Sequence, residues 1–247
     1  MTRRFPPSSI DSSTLPDDPS YRDTLVRLLA AHALAEKATA CGFARALPRV
    51  AGYRRQSAIA KNVQEEMAHA RLIYEALEEL DVSEPAADAL VATAWRGPSF
   101  TAPRRFAEID GDFVDALLAG FCLDTGGLLM ISRNYACSSY RPHAEAAAAI
   151  LHDERDHDAF ATDEFRRTVA ELGVDAVQFR VNVWIPLGLN FFGPPRSHFT
   201  ARCRDFGLKS CDNGQLAEEF RALVARRLGE VGLHMPRLTP TYPFALM

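Results

Sequence analysis

The sequence predicts an all-α protein built on a four-helix bundle, and three observations carry that prediction. Long stretches rich in Ala and Leu recur along the chain, and both residues favour helix. Turn-forming segments, Pro48–Gly52 and Ser139–Pro142, fall between these stretches at intervals suited to helical hairpins. A Glu-x-x-His triplet occurs inside two of the stretches, as Glu66-Met67-Ala68-His69 and Glu154-Arg155-Asp156-His157. Residues three apart share a helix face, so both triplets make chemical sense only on helices.

Taken in order, residues 1–19 carry four prolines and many polar side chains, and read as an extended arm, either loosely held or packed on a partner. Asp18-Pro19-Ser20 marks a helix start, with Ser20 as the cap. The first helix then runs from about Tyr21 to Ala44 and carries Glu36 at the end of the apolar stretch Leu28–Glu36. His32, four residues before Glu36, reads as a core residue or a support for Glu36 rather than a ligand. The second helix covers about Tyr53 to Leu80, with Glu66 and His69. A short helix follows from Ser83 to about Thr93.

The Pro-containing stretch from Trp95 through Arg105 reads as a connection long enough to cross the bundle. Such a crossover separates ferritin-like bundles from simple up-and-down ones. The third helix, about Asp112 to Ala136, contains Asp124 and the pair Gly126-Gly127. The glycines signal close helix packing or, alternatively, room for a substrate or O2. The fourth helix spans about Pro142 to Leu172 and carries Glu154 and His157. A fifth, Asp175 to Asn190, is expected to kink at Pro186, and a sixth runs from Asn213 to Glu230 ahead of an irregular Pro-rich tail. The expectation is one ferritin-like domain over residues 1–247: the arm, a metal-binding core over 20–172, and additional C-terminal helices and tail over 173–247.

Composition narrows the class. A net charge of −4 supplies no basic excess for nucleic acid. Cys41, Cys122, Cys137, Cys203 and Cys211 show no Cys-x-x-Cys spacing, and read as reduced, buried thiols of a cytoplasmic protein. No signal-peptide pattern opens the chain. Nothing approaches a membrane span, since even Leu117–Leu129 is interrupted by Asp124.

Helix arithmetic then sets the depth of each candidate ligand. The midpoint between Glu36 and the Glu66/His69 pair falls near Ala51-Gly52. The midpoint between Asp124 and the Glu154/His157 pair falls at Ser139–Pro142. Arms of about fifteen residues at ~1.5 Å rise place each set roughly 22 Å from its turn. An unpaired carboxylate in runs this apolar would be costly, which marks Glu36, Glu66, His69, Asp124, Glu154 and His157 as one site. One Glu-x-x-His on each of two helices, with one acid on each of two others, is the ligand set of carboxylate-bridged di-iron and di-manganese bundles.

Tyr21-Arg22-x-Thr24-Leu25-x-Arg27, Ala60-Lys61-x-Val63-Gln64-x-Glu66-x-x-His69, Leu123-Asp124-x-Gly126, Ser139-Tyr140-x-Pro142 and Phe191-Phe192-Gly193-Pro194 resemble the catalytic subunit of the phenylacetyl-CoA epoxidase family, from about Tyr21 to Pro236. The likeness includes Asp, rather than the commoner Glu, at position 124. The chain ends sooner than that subunit, and the turn between the third and fourth helices is one residue longer. These departures touch the substrate side of the likeness and leave the ligand set intact.

The resemblance implies an O2-dependent di-iron monooxygenase that epoxidises or hydroxylates an organic substrate, with an aromatic acyl-CoA thioester as one candidate. Four carboxylates neutralise two M2+ ions, and a set rich in hard oxygen ligands suits Fe2+, Mn2+ or a mixed pair. By the pattern of the class Glu66 and Glu154 bridge the metals and Glu36 and Asp124 bind terminally. Glu65 and Asp153 would accept the outer ring N–H of the histidines. Arg54, Arg55 and Lys61 could bind an anionic part of the substrate. No flavin, NAD or iron–sulfur motif occurs, so a separate reductase is expected, with a related structural subunit or self-association beside it. The rival readings are a biosynthetic oxygenase acting on a free or carrier-bound metabolite, and a ferritin-like iron oxidase with no organic substrate.

Overall fold

The computed structural model describes residues 4–96, 101–108 and 112–237. Among these residues the chain forms nine α-helices and no strand, apart from one isolated parallel bridge between Ile10 and Tyr140. Helix α1 spans Pro19–Ala46, α2 Tyr53–Glu78, α3 Glu84–Arg96 and α4 Thr101–Ala107. Helix α5 spans Phe113–Arg133, α6 Arg141–Leu172, α7 Val174–Leu189, α8 His198–Asp205 and α9 Asn213–Glu230.

Local chemistry explains most of the boundaries. Asp18, not Ser20, caps α1: its side chain accepts the Ser20 N–H at 3.0 Å, and Pro19 occupies the first turn, where its missing N–H costs nothing. The α1–α2 turn closes at Gly52, whose φ of +87° is disfavoured for a side-chain-bearing residue. Asp112 caps α5 by accepting from the Val114 and Asp115 N–H groups. Asp212 and Gln215 form a reciprocal capping box on α9.

The core consists of two helical hairpins. Helix α1 packs along α2 and α5 along α6, while α2–α6 and α1–α5 contacts join the pairs. The crossover from α2 to α5 runs through α3 and α4, both of which lie on α1. Within the expected connection from Trp95 through Arg105, Thr101–Ala107 is helical; residues 97–100 of that connection lie outside the described residues.

The added helices cover α5. Helix α7 presents Val177, Val181, Ile185 and Leu189, and α9 presents Leu216, Phe220, Val224 and Leu228, all buried at the four-residue spacing of a single helix face. Helix α7 continues through Pro186, the position where the sequence predicts a kink. The buried side chains on either side of the proline hold that face together. Helix α8 has no counterpart in the sequence reading, because eight polar-rich residues, with only Thr200 and Cys203 buried, carry too little apolar periodicity to show.

Three expectations are corrected by packing. The N-terminal arm is not loosely held: Arg4 N–H donates to Asp205 O, Ser8 N–H to Ser138 O, Ile10 N–H to Ser139 O and Arg141 N–H back to Ile10 O. Ile10 is buried and the Arg141 side chain pairs with Asp11. The segment Phe113–Cys137 is long and apolar enough to cross a membrane, by length and composition, although Asp124 lies within it. Its most apolar window is 72% buried inside the bundle, as suits a core helix. Cys41 is exposed, whereas Cys122 and Cys203 are buried, and all five cysteines are free thiols.

Gly207 joins the arm to the body. Its φ is +75°, and a Cβ there would lie 2.2 Å from the Phe5 carbonyl oxygen. Gly207→Ala is therefore expected to destabilise the protein by about 1–3 kcal/mol and to loosen residues 4–18. Thermal unfolding and limited proteolysis would measure both effects; an unchanged midpoint with an uncut arm would refute the account.

Candidate metal centre

The two hairpins bring six ionisable side chains to one depth. Glu36 comes from α1, Glu66 and His69 from α2, Asp124 from α5, and Glu154 and His157 from α6. None is more than 5% exposed, so they cannot be decoration of a solvated face. One ligand-capable atom from each of Glu36, Glu66, His69 and Glu154 lies within 4.8 Å of the other three. His157 joins them through Nδ1, 3.2 Å from Glu66 Oε1. Asp124 lies outside the tight group, yet its charge acts on both Glu66 and Glu154.

The outer ring nitrogens are held crosswise. His69 Nε2 on α2 donates to Asp153 Oδ2 on α6 at 3.1 Å, and His157 Nε2 on α6 donates to Glu65 Oε2 on α2 at 3.0 Å. Each acid that precedes a triplet glutamate thus orients the histidine of the opposite helix. This leaves both Nδ1 atoms turned to the carboxylates, with His69 Nδ1 at 3.6 Å from Glu36 Oε2 and 3.9 Å from Glu154 Oε1.

The electrostatics show what this group lacks. Burial, followed by repulsion from neighbouring carboxylates, raises Glu66, Asp124 and Glu154 well above the usual carboxylate range. Burial also opposes charge on Glu36, but the neighbouring His32 and His69 rings outweigh it and hold that carboxyl low. His69 Nδ1, His157 Nδ1 and Asp124 Oδ2 are buried without a hydrogen-bond partner, a rare and costly condition. Divalent cations would satisfy these atoms and offset the repulsion. Four carboxylates and two imidazoles fit a pair of such ions.

Other residues surround the group, and of these only His32 is marked by the sequence. His32 Nε2 sits 2.9 Å from Glu36 Oε1, and its Nδ1 is 3.0 Å from His143 Nε2. Tyr135 packs against both rings, at 4.3 and 4.8 Å between centroids. The spacing of His32 from Glu36 signalled its contact, but nothing local marked His143 or Tyr135, which lie beyond another turn. Arg227 of α9 donates to both Asp158 oxygens, at 2.7 and 2.6 Å, and to Thr125 Oγ1 at 2.8 Å. It thereby ties α5 to α6 at the residues following Asp124 and His157.

A cavity of about 540 Å³ reaches Glu36 and His32. Its walls come from α1, α3, α5, α8 and the Phe191–Pro194 turn. Gly127 lines it, and a Cβ at that position would stand 3.0 Å from Glu154 Oε2, whereas a Cβ at Gly126 would press 2.9 Å against Phe191. The two glycines thus divide the roles: Gly126 permits close packing and Gly127 leaves room.

The basic residues expected to meet substrate do not line this cavity. Arg55 Nε donates to the buried Glu164 at 2.7 Å and its Nη2 to Glu171 at 3.0 Å. Lys61 pairs with Glu65 at 2.7 Å, and Arg54 lies beside Tyr53, with its Nε 3.1 Å from the Tyr53 hydroxyl. Arg55 and Lys61 face acids of the bundle because their helix phase directs them there, which composition could not show.

The model of the phenylacetic acid catabolic protein family matches residues 11–242, nearly the whole chain. No curated protein matches it.

Glu154→Gln removes an ionisable oxygen while keeping the shape. In metal-free protein near neutral pH it is expected to raise stability by on the order of 1–3 kcal/mol, the cost of an uncompensated buried polar group. Because Glu154 is raised, folded protein holds its proton to higher pH than unfolded chain, so the acid weakens folding as pH rises. The gain from Gln should fade as pH falls to the ordinary carboxylate range. A destabilising effect at neutral pH, seen in chemical denaturation, would contradict this electrostatic account.

Proposed function

The chain belongs to the phenylacetic acid catabolic protein family, and from that premise we propose that it is a di-iron monooxygenase, inserting one oxygen atom of O2 into an organic substrate held in the 540 Å³ cavity. The carrying observation is the buried group of Glu36, Glu66, His69 and Glu154 within 4.8 Å, open to that cavity at Glu36. Glu36, Glu66, His69, Asp124, Glu154 and His157 would hold two iron ions, or manganese in one or both positions. When bound, the ions supply O2 activation, with two electrons and two protons from a separate reductase reducing the second oxygen atom to water.

The chain's own residues do the remaining work. Asp153 and Glu65 fix the rotation and tautomer of His69 and His157, keeping both Nδ1 lone pairs available. His32 orients Glu36 at the cavity wall through the 2.9 Å contact. The apolar lining excludes bulk water from the reacting position, which protects a strong oxidant from side reactions. Gly127 keeps the space beside Glu154 clear of a side chain.

Epoxidation or hydroxylation of an aromatic acyl group is the substrate reading we favour over iron oxidation without an organic substrate. An iron oxidase has no use for a largely apolar cavity of this size beside its ligands. The proposal also includes a cytoplasmic setting and reliance on a separate electron donor.

Metal analysis of protein reconstituted with ferrous iron should find about two ions per chain. Glu66→Ala and His157→Ala should each lose bound metal and lower O2-dependent product formation by at least roughly 100-fold, as loss of a ligand or its support does. Product formation that survives in either variant would overturn the assignment. Reductant-driven O2 consumption with no oxygenated product from phenylacetate or its thioesters would favour the iron oxidase instead.

A further inference from the structure

Lys209 is buried in the cavity wall, 6% exposed. Among the described residues its Nζ makes no hydrogen bond or ion pair. Its Nζ stands over the face of Tyr135, 5.7 Å from the ring centroid. A lysine so placed is expensive, and burial draws its ammonium below the usual range. Long side chains ordinarily turn their charge out to the protein surface; this one lies in the cavity wall.

Several other polar groups of the cavity already have partners. Arg27 stands over the Phe199 ring at 5.1 Å and lies 3.8 Å from Asp23. Thr200 donates to Asn213 Oδ1 at 3.0 Å, and Asn213 Nδ2 donates to Pro194 O at 3.0 Å. His32 is turned to Glu36 and His143. Lys209 is the buried cation among these lining residues, and its ammonium is paired with none of them.

Its position is built rather than incidental. The buried Asn134 carboxamide oxygen accepts both the Ser210 and Cys211 N–H groups, at 2.9 and 2.8 Å. Leu208 N–H donates to Cys203 O at 2.8 Å, and Gly207 makes the turn before it. The backbone on both sides of Lys209 is therefore held. Contacts lead from its ammonium to Tyr135, from Tyr135 to His32, and from His32 to Glu36. Between these polar ends the wall is mostly hydrocarbon, including Leu28, Met130, Ile131 and Phe191.

We propose that Lys209 is the specificity anchor of the cavity, donating hydrogen bonds to an acyl oxygen of the substrate so that its apolar remainder lies toward Glu36. The inference rests on the cavity being the substrate site. The acyl oxygen belongs either to a free carboxylate or to a thioester carbonyl, and both accept from an ammonium. A substrate of this class supplies what the buried lysine lacks, and the aromatic ring of such a molecule matches the hydrocarbon wall.

Calorimetric binding to the metal-free full chain tests this apart from catalysis. The probes are phenylacetate, its N-acetylcysteamine thioester, and ethylbenzene, which lacks the oxygen. Wild-type protein should bind at least one oxygen-bearing probe about tenfold or more tightly than ethylbenzene, one good hydrogen bond to a charged group. The preferred probe identifies which oxygen is read. Lys209→Met should remove that preference while leaving ethylbenzene affinity and iron content unchanged. Retained preference in Lys209→Met, or equal binding of all probes by the wild type, overturns the anchor. Should the variant fail to fold, the wild-type ratio decides alone. Failure of the oxygenase reading would show differently, as absent iron or absent product, in protein whose binding preference is intact.

Discussion

The structure depends on keeping four carboxylates inside an apolar bundle. Isolated in such surroundings, an ionised carboxylate is strongly disfavoured, and here Glu36, Glu66, Asp124 and Glu154 are all within 5% of complete burial. Protons, two histidines and His32 meet part of that demand within the chain. The unpartnered Nδ1 atoms and Asp124 Oδ2 show that the demand is not fully met. A site so arranged could hold divalent cations, because binding would remove repulsion and satisfy the orphaned atoms together.

Long-range side-chain ties brace the helices around that site. The crosswise pairs His69–Asp153 and His157–Glu65 connect α2 to α6 at two points. Arg55 connects the same two helices farther along through Glu164 and Glu171. Arg227 brings α9 into the arrangement by gripping Asp158 and Thr125. These ties make the helix spacing resistant to the like-charge repulsion inside, and they explain why added C-terminal helices belong to the same body as the four-helix core.

The cavity is a product of the additions. Helix α3, helix α8, the Phe191–Pro194 turn and the Lys209 segment close around the open side of α1 and α5. In the proposed function the four-helix core would carry the redox chemistry, while these outer elements shape what can approach it. Variation in substrate can then arise in the outer elements without disturbing the ligand set.

Helix class, the two hairpins and the clustering of Glu36, Glu66, His69 and Glu154 were legible in the sequence because each rests on local rules. Periodicity, turn residues and a three-residue spacing act over a few residues, and equal arm lengths extend them to depth. The crossed partners of the histidines, the contact of His143 with His32 and the burial of Lys209 were not legible, since each joins residues distant along the chain through the phase of packed helices. The same limit misplaced Arg54, Arg55 and Lys61: their charge suited an anion, but helix phase directed Arg55 and Lys61 to acids of the bundle. By itself, then, the sequence determined which side chains stand on a common helix face. Only the tertiary structure decided which faces meet, because that choice is made by the packing of the whole hydrophobic core.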